Sequence, residues 1–417
     1  MKFHVFSERA DKKQADDVLE GFFGSVGARN GYFSMISGIC RFIEFAFLFG
    51  LIIYVAVSAT VNAGKITREN IQYIFRNFAF RLDKNSEIST EIIYSPDSGQ
   101  SFALYGQGLA VAGNSGIRIF SATGRNTCSS DFVLASARLT SSSVYAGVYE
   151  FGGKDYYIFN SFSKVYHGTS ENEIYGMSVS DSGKYVILSG DSEFASSVLL
   201  YRSNFSLQTA YRKNSRVISA VLDREGTMLL TATVDVNSSG QYSSEIELYS
   251  VEEEKRISDV ALVGRFPLKC FFTDDGYGIL CKDRVIIWSK DGVQLKEVAF
   301  GDREAVAFDN SGELSAVLLK ETGKGLSVNF HLLMIPHKVG SETETVALSS
   351  TPVSLSVFSD TAYVLADSRI FAYNTSGLYA AAELTGKPEG KYILAYAEGK
   401  VYYLCNSSAY TVGVSRP

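Results

Sequence analysis

Beyond Ile88 the hydrophobic positions fall into short runs with the period of two that marks β-strands, interrupted at regular intervals by turn residues. One signature recurs: an alternating strand, a turn holding Asp and closing on Gly, then a nearly continuous apolar strand. It reads YGMSVSDSGKYVIL around Gly183, ISAVLDREGTMLLTA around Gly226, LKCFFTDDGYGILC around Gly276 and AVAFDNSGELSAVLL around Gly312. Looser copies turn at Gly108, Ser142, Ala362 and Gly399. Glycine tolerates positive φ and Asp hydrogen-bonds its own turn, so each copy predicts a hairpin. Six copies are followed by a third strand ending in an aromatic residue: IRIFS, YYIFN, VLLYR, IELYS, VIIWS and IFAYN.

The eight turn markers lie 34 to 50 residues apart, bracketing the ~40–45 residues of a four-stranded propeller blade. The pattern predicts an all-β fold, a β-propeller over 88–417 with eight blades, or seven if a degenerate copy is not a blade. A ring accounts for the scarcity of polar residues in the inner and middle strands, because neighbouring blades cover both of their faces. The last copy supplies only about three strands. Glu91-Ile92-Ile93-Tyr94-Ser95, the nearest early strand, is expected to complete that blade and close the ring.

A different pattern precedes the repeats. Phe45 to Val61 is 17 residues without a charge, and extending it back to Phe42 adds only Glu44. A helix of that length spans the ~30 Å hydrocarbon core of a bilayer, whereas a buried core helix would show an amphipathic face. We read 42–63 as a single transmembrane helix. Val61-Asn62-Ala63 loosely resembles a signal-peptide cleavage site, but the apolar run is longer than an h-region and a long leader precedes it. The N-terminal tail, 1–41, carries six Lys/Arg. Lys65, Arg68, Arg76 and Arg81, in a juxtamembrane linker over 64–87, argue for the opposite orientation. The size of the domain that follows weakens that count. The expected topology is single-pass in the cell membrane, N-terminus cytoplasmic and C-terminal domain extracytoplasmic.

Composition narrows the function classes. A net charge of −6 with no basic block argues against nucleic acid as a partner. The chain has only four His, five Cys and one Trp. His167, His331 and His337 are widely spaced, and no Cys-x-x-Cys occurs. The turns Asp274-Asp275-Gly276 and Asp309-Asn310-Ser311-Gly312 lack the ligand ladder of a calcium loop. Neither a phosphate-binding glycine loop nor a nucleophile elbow appears. No catalytic, cofactor-binding or metal residue is assigned, no cofactor is expected, and an enzyme is not predicted. Cys270 and Cys281 would face each other if Asp275-Gly276 were a two-residue loop, as a strained disulfide or as two packed thiols. Glu252-Glu253-Glu254-Lys255-Arg256 reads as a solvated turn at a blade edge.

Trp288, in VIIWSKDG, stands where a Trp-Asp dipeptide would close a WD repeat, although Ser follows it and no Gly-His opening recurs. The repeats resemble the WD-repeat-like class of propellers. The whole layout resembles an uncharacterised family of membrane-anchored propeller proteins of clostridial-type Gram-positive bacteria. That resemblance implies a cytoplasmic tail, one membrane helix and an extracytoplasmic propeller, and it assigns no functional residue. A single Trp does not fit the recurring tryptophan docking motifs of quinone-cofactor propellers. The expected function is a non-enzymatic protein-interaction or ligand-binding module of the cell envelope. Its partner would be another envelope protein, a peptide or a wall polymer. The alternative is an enzyme or small-ligand receptor with a site at the central mouth of the ring.

Overall fold

The computed structural model describes residues 39, 42–50, 52, 91–322 and 328–415. The 32 described strands form eight four-stranded antiparallel sheets, the eight blades of a β-propeller. Blades 1 to 7 use consecutive strands, over 101–131, 137–169, 174–213, 216–263, 267–299, 304–348 and 352–383. Blade 8 takes Gly390–Ala397, Lys400–Cys405 and Ser408–Gly413, and its outermost strand is Glu91–Ile93. Ile92 lies opposite Ala409 and Glu91 opposite Tyr410, so the first strand closes the ring as its composition suggested.

The core is divided into eight apolar wedges, one between each pair of adjacent blades. Strand Tyr185–Ser189 shows why the second strands read as continuous apolar runs. Its alternate residues serve different wedges: Tyr185 and Ile187 pack towards blade 2, Val186 and Leu188 towards blade 4. All of them are buried. A pleated strand covered on both faces has no polar side to show. Trp288 fills the wedge between blades 4 and 5, its ring 5.7 Å from that of Tyr277.

Polar bonds tie the innermost strands together around the ring. The Ser178 hydroxyl accepts the Leu222 N–H at 3.1 Å, Ser219 accepts that of Cys270 at 3.1 Å, and Ser356 accepts that of Ala395 at 2.9 Å. A carboxylate plays this part in blade 6, where Asp309 accepts the Val357 N–H at 2.8 Å. Each bond satisfies a backbone donor that would otherwise be orphaned between sheets.

The turn glycines have two different reasons. Gly183 and Gly226 sit at φ of 81° and 72°, as hairpin chemistry requires. Gly312 has ordinary φ but a close neighbour: an added Cβ would lie 1.9 Å from the Asp274 carboxylate of blade 5. The hairpin between Cys270 and Cys281 corrects the sequence reading. Its loop is Asp274-Asp275, closed by the Thr273 N–H to the Gly276 carbonyl, one residue earlier than supposed. Cys270 therefore faces Ile279, and Cys281 faces Pro267. Both are free thiols buried in the same wedge, and burial pushes each thiol up to about 12. Such thiols stay protonated and inert at neutral pH.

In the N-terminal unit, Ile39, 42–50 and Ile52 are α-helical and exposed. No helix among the described residues is long and apolar enough to cross a membrane. The rest of the proposed span 42–63, the linker 64–87 and the tail 1–41 apart from Ile39 lie outside the described residues.

Candidate functional site

The central channel is walled by the eight innermost strands, and its two mouths differ. In blades 3 to 8 the register between the inner and second strands skips one residue. The skipped residues are Tyr175, Ile218, Leu268, Val306, Val353 and Lys391. Each is the second or third residue of its inner strand. All inner strands of a propeller run the same way along the channel, so the six bulges fall at one end. Five of the six are apolar, and Tyr175, Leu268, Val306 and Val353 are 41 to 56% exposed.

Blades 1 and 2 lack the bulge but continue the rim. Phe102 of blade 1 meets Tyr392 of blade 8 with ring centroids 5.7 Å apart. Phe151 of blade 2 stands edge-on to Tyr175 at 6.0 Å. The rim thus carries an apolar side chain from every blade. An extra residue in a strand turns a side chain out of its wedge, which is how hydrophobic residues come to be exposed here. Apolar side chains left exposed together at one end of a fold are a kind of surface that partners can cover.

The other mouth mixes polar and apolar groups. A cavity of about 500 Å³ there is lined by Ser142, Ser143, Arg224 and Asn310 as well as by Leu222 and Phe272, among others. Arg224 donates to Asp181 at 2.9 Å and to the Ser143 hydroxyl at 3.2 Å. Burial pushes the Asp181 carboxyl up, but bonds from Arg224 and from the Ser142 and Ser143 groups outweigh it and hold it below the usual range. A neighbouring cavity of about 700 Å³ is lined by Asp274, Asp275, Glu313, Glu342, Glu344 and Asp360, together with His337 and Lys338. Among the described residues, no group of three or more His, Cys, Asp or Glu side chains is arranged to hold a metal ion.

His337 is fixed by both ring nitrogens. Nδ1 lies 2.7 Å from the Gly312 carbonyl and Nε2 2.8 Å from the Ser315 hydroxyl. Nδ1 therefore carries the proton, and Nε2 accepts from Ser315. Burial holds His337 below its ordinary value of 6.5. On acidification through 6.5 the unfolded chain takes up a proton that the folded protein refuses, so this group costs stability as pH falls and nothing above 6.5. We expect His337→Gln to flatten the fall in melting temperature between about pH 6.5 and 5 relative to wild type. Parallel slopes would sink that assignment.

The widely spaced histidines do not converge. His167 stacks on Tyr157 at 4.4 Å, and His331 lies 3.0 Å from Glu321 at the margin of blade 6. Of the charged run 252–256, Glu252–Glu254 form an exposed turn, as expected, while Lys255 and Arg256 open the outermost strand of blade 4, from which Arg256 reaches the buried Glu247 at 3.3 Å. Sequence reasoning missed the rim. Its only signal was an apolar residue breaking the alternation at the start of inner strands such as PLKCFF and PVSLSVF.

The profile of a family of unknown function (DUF5711) matches residues 81–329, more than half of the chain. The chain belongs to this family. No curated protein matches it. Among solved structures, the computationally designed Ika8 protein is similar over 78% of this chain and 100% of its own, with a TM-score of 0.57 and 9% identity. The C-terminal WD40 domain of Sif2 is similar over 79% of this chain and 98% of its own, with a TM-score of 0.52 and 12% identity. These likenesses are of fold and support the WD-repeat-like reading of the repeats. The DUF5711 match takes in Tyr175, Ile218, Leu268 and Val306 of the rim, and Val353 and Lys391 lie beyond it.

Proposed function

We propose that this DUF5711 member is a non-enzymatic interaction module that receives a segment of a partner protein across the rim of its channel. One observation carries the reading: apolar side chains gather at one mouth, five of them at bulges in consecutive blades, and of those five Tyr175, Leu268, Val306 and Val353 are exposed while Ile218 is half-buried. Burying the exposed half of such a Val or Leu yields about 1 kcal/mol each, and a ring of them concentrates that gain at one place. A photo-crosslinking residue at Val353 in intact cells should capture a discrete partner. The same residue at Glu225, on the opposite face, should not. Equal capture at both positions, or none at Val353, defeats the proposal.

The address is part of the same proposal. The uncharged stretch from Phe45 to Val61 supports a single membrane span over 42–63, with the tail inside and the propeller outside in the cell envelope. Protease added to intact protoplasts should then remove the propeller, and full protection would overturn the topology.

A further inference from the structure

We infer that the segment received at the rim is acidic as well as apolar, a refinement that rests on the interaction reading above. Four cations stand on the innermost strands at the bulged end: Arg138 on the regular strand of blade 2, Arg216 and Lys269 beside the bulges of blades 4 and 5, and Lys391 at the bulge of blade 8. All four are exposed. None lies within ion-pairing distance of a carboxylate among the described residues. Two of them rest on aromatic rings instead, Arg138 at 5.9 Å from the centroid of Phe151 and Lys269 at 5.3 Å from that of Phe308. Of the carboxylates close by, Glu304 opens the inner strand of blade 6, Glu173 is engaged by the Tyr175 hydroxyl at 2.6 Å, and Glu150 accepts the Ala135 N–H at 2.8 Å. Glu389 precedes the inner strand of blade 8, and Asp309 feels the charge of Lys269.

The chain as a whole carries −6, whereas on the innermost strands four exposed cations stand against one exposed carboxylate, Glu304, a reversal of sign along the channel wall at this end. The opposite end reinforces it. Six carboxylates line the 700 Å³ cavity there, against Lys338 and the neutral His337. The propeller is thus electrically polar along its channel. An acidic segment is drawn to the rim and repelled from the other face, which fixes the side of approach as well as the composition of the partner. Cations that already lie against aromatic rings keep their charge while shedding water, and they meet a carboxylate in a partly desolvated place. Leu268, Val306 and Val353 would take the apolar side chains between the acidic ones.

The test uses the full-length chain in detergent micelles and a library of displayed random twelve-residue peptides. The expected peptides combine Asp or Glu with Leu, Ile or Phe, and bind more weakly as salt rises. The double reversal Arg216→Glu/Lys391→Glu should weaken them roughly a hundredfold, since like charges would then face each other. Val353→Asp should weaken them by a comparable factor, through loss of apolar contact and added repulsion. Both sites are exposed, and an unchanged melting temperature will show that the variants fold. Recovery of neutral or basic peptides, of none, or of acidic peptides indifferent to the double reversal would overturn the inference. If Val353 still captures a partner in cells, only the acidic character falls. If it captures nothing, the interaction reading falls with it.

Discussion

Deleting residues 91–95 should unfold the whole propeller, although these residues lie more than 300 positions from the strands they join. Glu91–Ile93 pairs with Ser408, Ala409 and Tyr410 on the outer side of the last strand. Ile92 is 2% exposed and Tyr94 5%. The Tyr94 hydroxyl lies 2.6 Å from the Cys405 carbonyl and 2.8 Å from that of Ser408. Its ring leans on Phe102 and Phe120 of blade 1, at 6.0 and 6.4 Å. The segment therefore fastens blade 8 to blade 1. Truncating a large buried aromatic costs about 3–5 kcal/mol and an isoleucine about 2–5. Together these approach the ~5–15 kcal/mol that holds a typical domain folded. Thermal unfolding of the intact chain should show the cooperative transition lost on deletion of 91–95, as on deletion of 401–405. Tyr94→Ala alone should lower stability by about 3–5 kcal/mol. An unchanged melting temperature would mean that the first strand is an ornament on a ring closed in some other way.

Lys213→Met should cost about 3 kcal/mol, the lower end of what orphaning a buried charge costs. Glu247 is 2% exposed, in the third strand of blade 4. Its carboxylate is paired with the Lys213 ammonium of blade 3 and accepts from the Tyr249 hydroxyl at 2.9 Å. Arg256 reaches it at 3.3 Å from a more exposed position, which keeps the loss from being larger. The informative variant is the double one. Lys213→Met with Glu247→Met removes both charges, and we expect it to recover most of the loss, because a matched apolar pair avoids desolvating two ions. Denaturant unfolding of the four members of the cycle gives the coupling directly. A cost under about 1 kcal/mol for Lys213→Met would show that the pair behaves like a surface bridge.

The eight blades could be read from the chain because each is a local unit. A hairpin with its turn residues at fixed offsets, followed by a third strand, is completed within some forty residues, and its apolar pattern reports burial on both faces. The aromatic ending of the third strand marked six blades. Blade 6 ends that strand in Pro336, and the C-terminal copy has no such ending, so these two were recognised by their turns alone. Closure was legible too, since a count of strands left one missing and one spare.

Register was not legible, and both misreadings trace to it. A shift of the loop by one residue, from Asp275-Gly276 to Asp274-Asp275, separated Cys270 from Cys281. One extra residue in an inner strand likewise leaves Tyr175, Leu268, Val306 and Val353 exposed at the rim, in strands expected to be covered on both faces. A side chain changes face with every residue along a strand, and hydrogen bonds between strands, which composition does not record, decide where a bulge falls. The cations of the rim pose the same difficulty on a larger scale. Arg138 and Lys391 are some 250 residues apart in the chain and share one mouth only because eight blades close into a circle. Local pattern by itself determined that there are blades and what closes them, and narrowed their number to eight or seven. Only the ring decided which residues of different blades stand together, because contacts between them form across the channel and not along the chain.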